Sequence, residues 1–436
     1  MTGSTFVWRW LAALMTVTLV LVACAPAAQP QAPSAPAAQP QAPVEKVKLR
    51  LGTWAGAGEA KELQDLVLSK VNAAAKDYEI VSEPVPADYY TKLQTTLAGG
   101  AGPDLFWLSQ EFIAGYADKG ALLDITERLK SDGRAAAKLD DYYPPVFQTV
   151  KLNNKVYGLP WISQPVMLYY NPKLFQDAGV KEPDESWTWD DFTVAAEKLT
   201  IPGKQWGTTF NSWPPIQMFI WQAGGEVITS DLCKSPIDSP EAIKGAKFYQ
   251  SIIYNEKRAV PEKVISEQGF SEMAKAGKVA MFFGGAADDL DYAYKKDPKV
   301  VQLKTALVPK GPRGRTTFAW SAATVINGQT KYPQQAYNAL VDLTEGIHQW
   351  KVLAPRKSLA KEDVIAASVP DKKDAATLIL KAAPDMRSFT IIPRQQEWDT
   401  IFWEQFQDPL FHNKGTAEEL AAKARKSLEA VLPKKC

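Results

Sequence analysis

The chain has 436 residues, with 50 Lys+Arg against 49 Asp+Glu, 2 His and 3 Cys. At about 150 residues per domain the length suggests two or three domains, each with its own core. A hydrophobic fraction of 46% excludes a wholly disordered chain, three cysteines exclude a disulfide scaffold, and a net charge of +1 exerts no global pull on nucleic acid or anionic lipid. What remains to be explained is an aromatic excess of 14 Trp, 15 Tyr and 17 Phe.

Trp10 to Ala23 (WLAALMTVTLVLVA) is an apolar run of 14 residues behind Arg9. It is too short to span a bilayer, which takes about 20 residues, but it suits the apolar core of a secretory signal. It ends in Leu21-Val22-Ala23-Cys24, which resembles the bacterial lipobox, where lipid joins the cysteine and cleavage falls just before it. Residues 1–23 are therefore expected to be a lipoprotein signal peptide and Cys24 the lipidated residue. Residues 25–43 repeat APAAQPQAP around Ser34 and carry no charge. Such a segment cannot offset its chain entropy by burial, so residues 24–46 read as a tether. As polyproline II at roughly 3.1 Å per residue, about twenty residues of it reach on the order of 60 Å. Removing residues 1–23 takes away Arg9, Trp8 and Trp10, which leaves 49 basic against 49 acidic side chains and 12 tryptophans. If Cys24 carries lipid, Cys233 and Cys436 are the remaining thiols. A bond between them is compatible with an oxidising compartment, although Cys436 ends a chain terminus expected to fray.

Beyond the tether, strand and helix patterns alternate. Val47–Trp54 reads as a strand, 59–76 as a helix with Leu63, Leu66, Val67, Val71 and Ala74 on one face, and Tyr78–Val85 as a strand. Tyr89–Leu97 reads as a short helix and Asp104–Leu108 as an apolar strand behind a glycine-rich turn. Val166–Tyr170, Lys278–Phe283 and Ala322–Ile326 are further strands. Helices are expected at Asp190–Leu199 with Thr188 as N-cap, at Ser239–Tyr254 opened by Ser239-Pro240, at Gln334–Leu343 and at Glu397–Phe406. The alternation argues α/β with a largely parallel sheet, whose ligands lie beyond the carboxyl ends of the strands.

Several segments occur in an order that goes beyond alternation. They are Asp88-Tyr89-Tyr90-Thr91-Lys92-Leu93-Gln94, GGAGPDLFWL (Gly99–Leu108), Gly120-Ala121-Leu122-Leu123-Asp124, VYGLPW…LYYNPKLFQDAGV (Val156–Val180) with SWTWDDF, AGGEV (Ala223–Val227), GKVAMFFGG (Gly277–Gly285) and PKGPRG (Pro309–Gly314). The ordered set resembles family 1 extracellular solute-binding proteins, the maltose-binding-protein-like receptors of bacterial ABC importers. The resemblance implies a two-lobed periplasmic-binding-protein-like α/β fold of type II, each lobe a mostly parallel sheet flanked by helices, closing by hinge motion on a ligand in the cleft. On that template lobe 1 holds 47–160 and 314–355, and lobe 2 holds 161–313 and 356–436. The implied ligand is a carbohydrate, with glycerol phosphates and other polyol-type solutes as the alternative. The implied partners are the membrane subunits of an ABC permease and a membrane reached through lipid; nucleic acid is not among them, and the receptor is expected to be a monomer without cofactor or metal, held on the outer face of the cytoplasmic membrane.

Tryptophan suits a sugar cleft because an indole covers the C–H face of a pyranose while short polar groups bond its rim hydroxyls. Candidates are Trp54 at the end of the first strand, Trp161 at the first crossover with Ser163 and Gln164 beside it, Trp320 past the second crossover, and Trp213 in FNSWPP. Trp107 and Trp221 join them, although both sit in apolar runs that also read as buried strand or helix. Each of the six can equally be a large core residue. Asp288 follows Gly284-Gly285-Ala286-Ala287, where many carbohydrate-binding members carry a tryptophan and this chain has Ala287. Arg356 stands near the third crossover. The dinucleotide-like Gly56-Ala57-Gly58-Glu59-Ala60-Lys61 places Lys61 where a small residue is needed, and no phosphate-loop, zinc-protease or serine-hydrolase signature occurs. The rivals are an anchored glycoside hydrolase or lyase using paired carboxylates, and a surface adhesin.

Overall fold

The computed structural model describes residues 45–210, 213–255, 257–287, 301–350 and 353–433. The strands in chain order are β1 (Val47–Thr53), β2 (Tyr78–Pro84), β3 (Leu105–Ser109), β4 (Lys151–Leu152), β5 (Lys155–Val156), β6 (Gly158–Tyr170), β7 (Trp206–Thr208), β8 (Val279–Gly285), β9 (Lys304–Ala306), β10 (Thr317–Ile326) and β11 (Met386–Arg387). In β1 the alternation works as read, Leu49 and Leu51 facing the core while Lys48 and Arg50 face water. Helical residues 57–74 carry the chain across to β2, and β1 pairs in parallel with both β2 and β3. Described strands of the main sheet run β2-β1-β3-β10-β6-β8-β7, with β11 beside β10 and β9 beside β6; β4 and β5 form a separate hairpin. The flanks are parallel, and the sheet turns antiparallel where β6 and β10 meet β3, β8, β9 and each other.

Two of these strands are longer than their sequence suggests. β6 begins at Gly158 rather than Val166, and β10 at Thr317 rather than Ala322. Pro160 and Pro165 make GLPWISQP read as loop, because proline donates nothing to a ladder. Here they stand opposite Ala323 and Ala319, in a ladder whose register shifts between Ala322 and Ala323. The irregularity lies beside Pro160 and tolerates its missing N–H group. The caps follow the sequence: Thr188 forms a reciprocal box with Asp191, and Ser239 accepts from the Ala242 N–H at 3.2 Å.

Buried apolar residues fall into separate cores. One is built from segments between Leu49 and Ile162 and between Ala322 and Trp350. A second draws on Val166 to Phe318 and Ile392 to Leu432, and a third, smaller one on Met167 to Ala319 and Leu353 to Met386. The chain thus changes core within β6, within β10 and after Trp350. The two lobes share one sheet, and crossing segments carry the chain between them. No helix among the described residues is long and apolar enough to cross a membrane. Cys233, beside the Thr229–Lys234 turn, is disulfide-bonded.

His348 sits against one crossing. It is buried, its Nε2 lies 2.9 Å from the Pro160 carbonyl, and its Nδ1 has no partner. Burial pulls its pKa down from 6.5 to about 4, against the opposing pull of the Pro160 carbonyl. The folded imidazole therefore stays neutral where the unfolded one takes a proton, and stability is lost as pH falls from about 6.5 to about 4. Two and a half pH units correspond to about 3 kcal/mol. In urea unfolding, wild type is expected to lose about that much relative to His348→Gln between pH 7 and pH 4. A difference between the two proteins that stays constant with pH would mean that His348 titrates normally.

Candidate functional site

Four indoles meet where the carboxyl ends of β1 and β3 reach the crossing strands. Because Leu51 pairs with Leu105 and Gly52 with Phe106, the parallel register brings the residue after β1, Trp54, beside Trp107. Their rings lie 5.3 Å apart. Trp161 from β6 packs 4.4 Å from Trp107 and 6.1 Å from Trp54, and Trp320 from β10 lies 6.4 Å from Trp54. Tyr89 meets Trp54 edge-on at 5.6 Å and donates its hydroxyl to the Trp107 carbonyl at 2.8 Å. Tyr90 stacks on Phe112 at 3.8 Å and shares a 2.8 Å hydrogen bond with Ser109.

Exposure divides the group. Trp107 and Trp161 are 0% and 2% exposed, whereas Trp54 and Trp320 are half-buried. The buried pair forms a base and the half-buried pair keeps surface to offer. Trp320 also packs against both principal cores, which places this surface at the junction of the lobes. Around it Thr53 Oγ1, Trp107 Nε1, Gln110 Nε2, Glu111 Oε2 and Trp161 Nε1 are buried without a hydrogen-bond partner. Each such group ordinarily costs about 1–3 kcal/mol, so a cluster of them is informative.

The remaining candidates sit differently. Ser163 is buried and turns its hydroxyl to the Met386 sulfur at 3.4 Å. Gln164 accepts from the Ala287 N–H at 2.9 Å and so holds the loop after β8. Trp213 packs, half-buried, on the second core. Trp221 is 4% exposed, and the Arg387 guanidinium covers its ring at 4.5 Å while pairing with Glu226. Its face is therefore taken by a cation. Arg356, read as a candidate ligand contact, is 8% exposed and bonds Asp141 at 2.9 Å. Asp141 also accepts from the Ser358 N–H at 2.8 Å. Burial pushes Asp141 up, but Ser358 and Arg356 more than offset it and hold it below the ordinary range. In this conformation Arg356 is a tie between segments. Asp288 and Cys24 lie outside the described residues.

Tyr89, Tyr90, Gln110, Glu111, Phe112 and Asp399 were not singled out from the sequence. The first two lay within a quoted motif; the others are joined to the site only through packing. Burial raises the pKa of Glu111, while its own N–H and Ser109 lower it, and burial with the nearby Glu111 charge carries Asp399 up to about 8. Among the described residues no group of three or more His, Cys, Asp or Glu side chains is disposed to hold a metal ion.

Comparison with known proteins supplies a family. The model for bacterial extracellular solute-binding proteins matches residues 56–340. A putative binding protein of Brucella abortus is 24% identical over 368 residues, 81% of this chain and 85% of that one. The maltotriose-binding protein of Pyrococcus abyssi is 31% identical over 182 residues, 41% of this chain and 37% of that one. An ABC substrate-binding protein of Listeria monocytogenes, solved in complex with cycloalternan, has the same fold at a TM-score of 0.75 and 20% identity, over 88% of this chain and 99% of that one. Since the family match runs through most of the α/β body and both crossing strands, this chain belongs to the bacterial extracellular solute-binding proteins.

Proposed function

We propose that the chain is the extracytoplasmic receptor of an ABC importer for a neutral carbohydrate, which it binds between its lobes and delivers to a permease without altering it. The observation that carries this reading is the Trp54–Trp320 surface, laid on the buried Trp107–Trp161 base at the lobe junction and edged by unpartnered polar atoms. Two half-buried indoles suit the C–H faces of a sugar ring, and hydroxyls on its rim would satisfy donors and acceptors that the protein leaves unpaired. The relative that binds maltotriose and the structural neighbour holding cycloalternan support the same ligand class. On this reading 47–160 with 314–355, and 161–313 with 356–436, are the bodies that close. Ser163, Gln164, Trp213 and Asp288 are second-rank contacts, and Trp107, Trp161 and Trp221 act from behind the surface. Residues 24–46 tether the body to the outer face of the cytoplasmic membrane through lipid on Cys24.

Isothermal titration with maltotriose, then with other oligosaccharides, monosaccharides, polyols and glycerol phosphates, tests the ligand class. Trp54→Ala and Trp320→Ala are each expected to weaken binding by tenfold or more, about 1.4 kcal/mol, with little change in melting temperature. Trp107→Ala is instead expected to cost about 3–5 kcal/mol of stability. Full affinity in both surface variants would remove the indole surface from the site. Chromatography of the same mixtures separates receptor from hydrolase, since a cleaved sugar contradicts the reading.

Anchoring has its own test. Cys24→Ala is expected to abolish incorporation of radiolabelled fatty acid and release the protein from the membrane fraction; labelling that persists would place the lipid elsewhere.

A further inference from the structure

The helix Gln110–Asp118 leaves the end of β3 in the first core, and the helix Gln395–Phe402 sends Trp398 and Phe402 into the second. The two pack on each other across the lobe junction. Their approach is close at Gly115, where a Cβ would stand 3.2 Å from Gln396 Cδ. One turn further on, Lys119 Nζ lies 3.5 Å from Gln396 Oε1. Going the other way, Glu111 is four residues before Gly115 and Asp399 three after Gln396. Helical spacing puts both on the facing sides, so an antiparallel joint brings two carboxyls to one end of it.

Nothing cationic among the described residues compensates them. Lys119 serves Gln396 at the far end, Lys151 lies over the Phe147 ring at 5.6 Å, and Arg394 pairs with Glu397. The helix Ala417–Glu429 faces this side with Leu420, Ala421, Ala424 and Leu428; its Lys423 and Lys426 are exposed, and its Arg425 bonds Asp238 and Glu429. Glu404 is exposed, and the Tyr90 hydroxyl beside Glu111 is committed to Ser109. Glu111 Oε2 has no partner, and Asp399 accepts only from Gln395 at 2.9 Å among the described contacts. Two desolvated carboxylates without a cation cannot both stay ionised at low cost.

We propose that joining the two helices takes up a proton on Asp399 in the field of Glu111, so that lobe closure is coupled to protonation and the joint parts as the solution becomes alkaline. The proton sits on one carboxyl oxygen and is returned to water when the helices separate; no other group changes. The direction follows from the joined-state pKa of Asp399, raised by burial and by Glu111 to about 8, against about 3.8 for an open carboxylate. The joined form holds its proton below about 8, and across the window from about 4 to 8 each unit of rising pH disfavours it by up to about tenfold.

The coupling rests on the two-lobe closure proposed above, yet its test needs no solute, so a failed sugar screen leaves it standing and its own failure leaves the sugar reading standing. Spin labels on Lys76→Cys in the first lobe and Lys204→Cys in the second, in the full chain held in detergent micelles, report the interlobe distance by electron–electron double resonance. From pH 5.5 to pH 8.5 the distribution is expected to shift toward longer distances. Asp399→Asn, which keeps the shape of the protonated acid, is expected to stay at the short distance throughout. If that variant fails to fold, Glu111→Gln provides the same comparison. A wild-type distribution that does not move with pH, or a variant that moves as far as wild type, overturns the proposal.

Discussion

Antiparallel pairing of β6 with β10 is the constraint on which the site depends, because these strands alone in the described sheet pass from one core into the other. Neighbouring strands lie about 4.8 Å apart, so any side chain near the crossing is within reach of both lobes. Trp161 and Trp320 stand on these strands, and the parallel register of β1 with β3 delivers Trp54 and Trp107 to them. A one-residue slip of β6 would turn Trp161 to the opposite face and remove the base from beneath Trp54. The alignment that builds the sheet is therefore the alignment that builds the aromatic surface.

That surface is held rigid by groups that do not themselves present a face to solvent. Tyr89 ties the end of β1 to β3 through the Gly52 and Trp107 carbonyls, and Tyr90 stacked on Phe112 closes one side. Preorganisation of this kind leaves little side-chain entropy to lose on binding. Electrostatics work in the same sense. Arg387 is matched by Glu226 and Arg356 by Asp141, so these two arginines arrive already neutralised. With 49 basic against 49 acidic side chains beyond residue 23, the global field does not favour an ionic solute.

Much of the scaffold was legible because it is written in local periodicity. The spacing of Leu63, Val67 and Val71, the Thr188 and Ser239 caps and the apolar run at β3 each specify their own element, although Leu66 and Ala74 of the same spacing face solvent. β6 was half-hidden because two prolines mimic a loop, and the accommodation of Pro160 depends on a bulged partner far away in the chain. Tryptophan was legible as a class and not as a role, since a residue that fills a core and one that covers a sugar share the same chemistry. Trp107 and Trp161 differ from Trp54 and Trp320 only in what is packed over them. Arg356 carried no local sign that Asp141, 215 residues earlier, would claim it. Glu111 and Asp399 are separated by almost the length of the body, and no pattern in either helix announces the other.

Burial places His348 and the Glu111–Asp399 joint in different pH ranges. His348 holds the Pro160 carbonyl at the crossing, and an ordinary imidazole there would change charge between pH 6 and 7. Desolvation moves that event down to about 4, so the crossing keeps a constant charge through the neutral range. At the carboxyl joint desolvation works in the opposite direction, since for an acid the charged form is the one disfavoured, and Asp399 moves up to about 8. The same physical cause thus silences the hinge and sensitises the contact that the hinge brings together. A response to pH near neutrality would then arise where the lobes meet, leaving the strands that guide them unchanged.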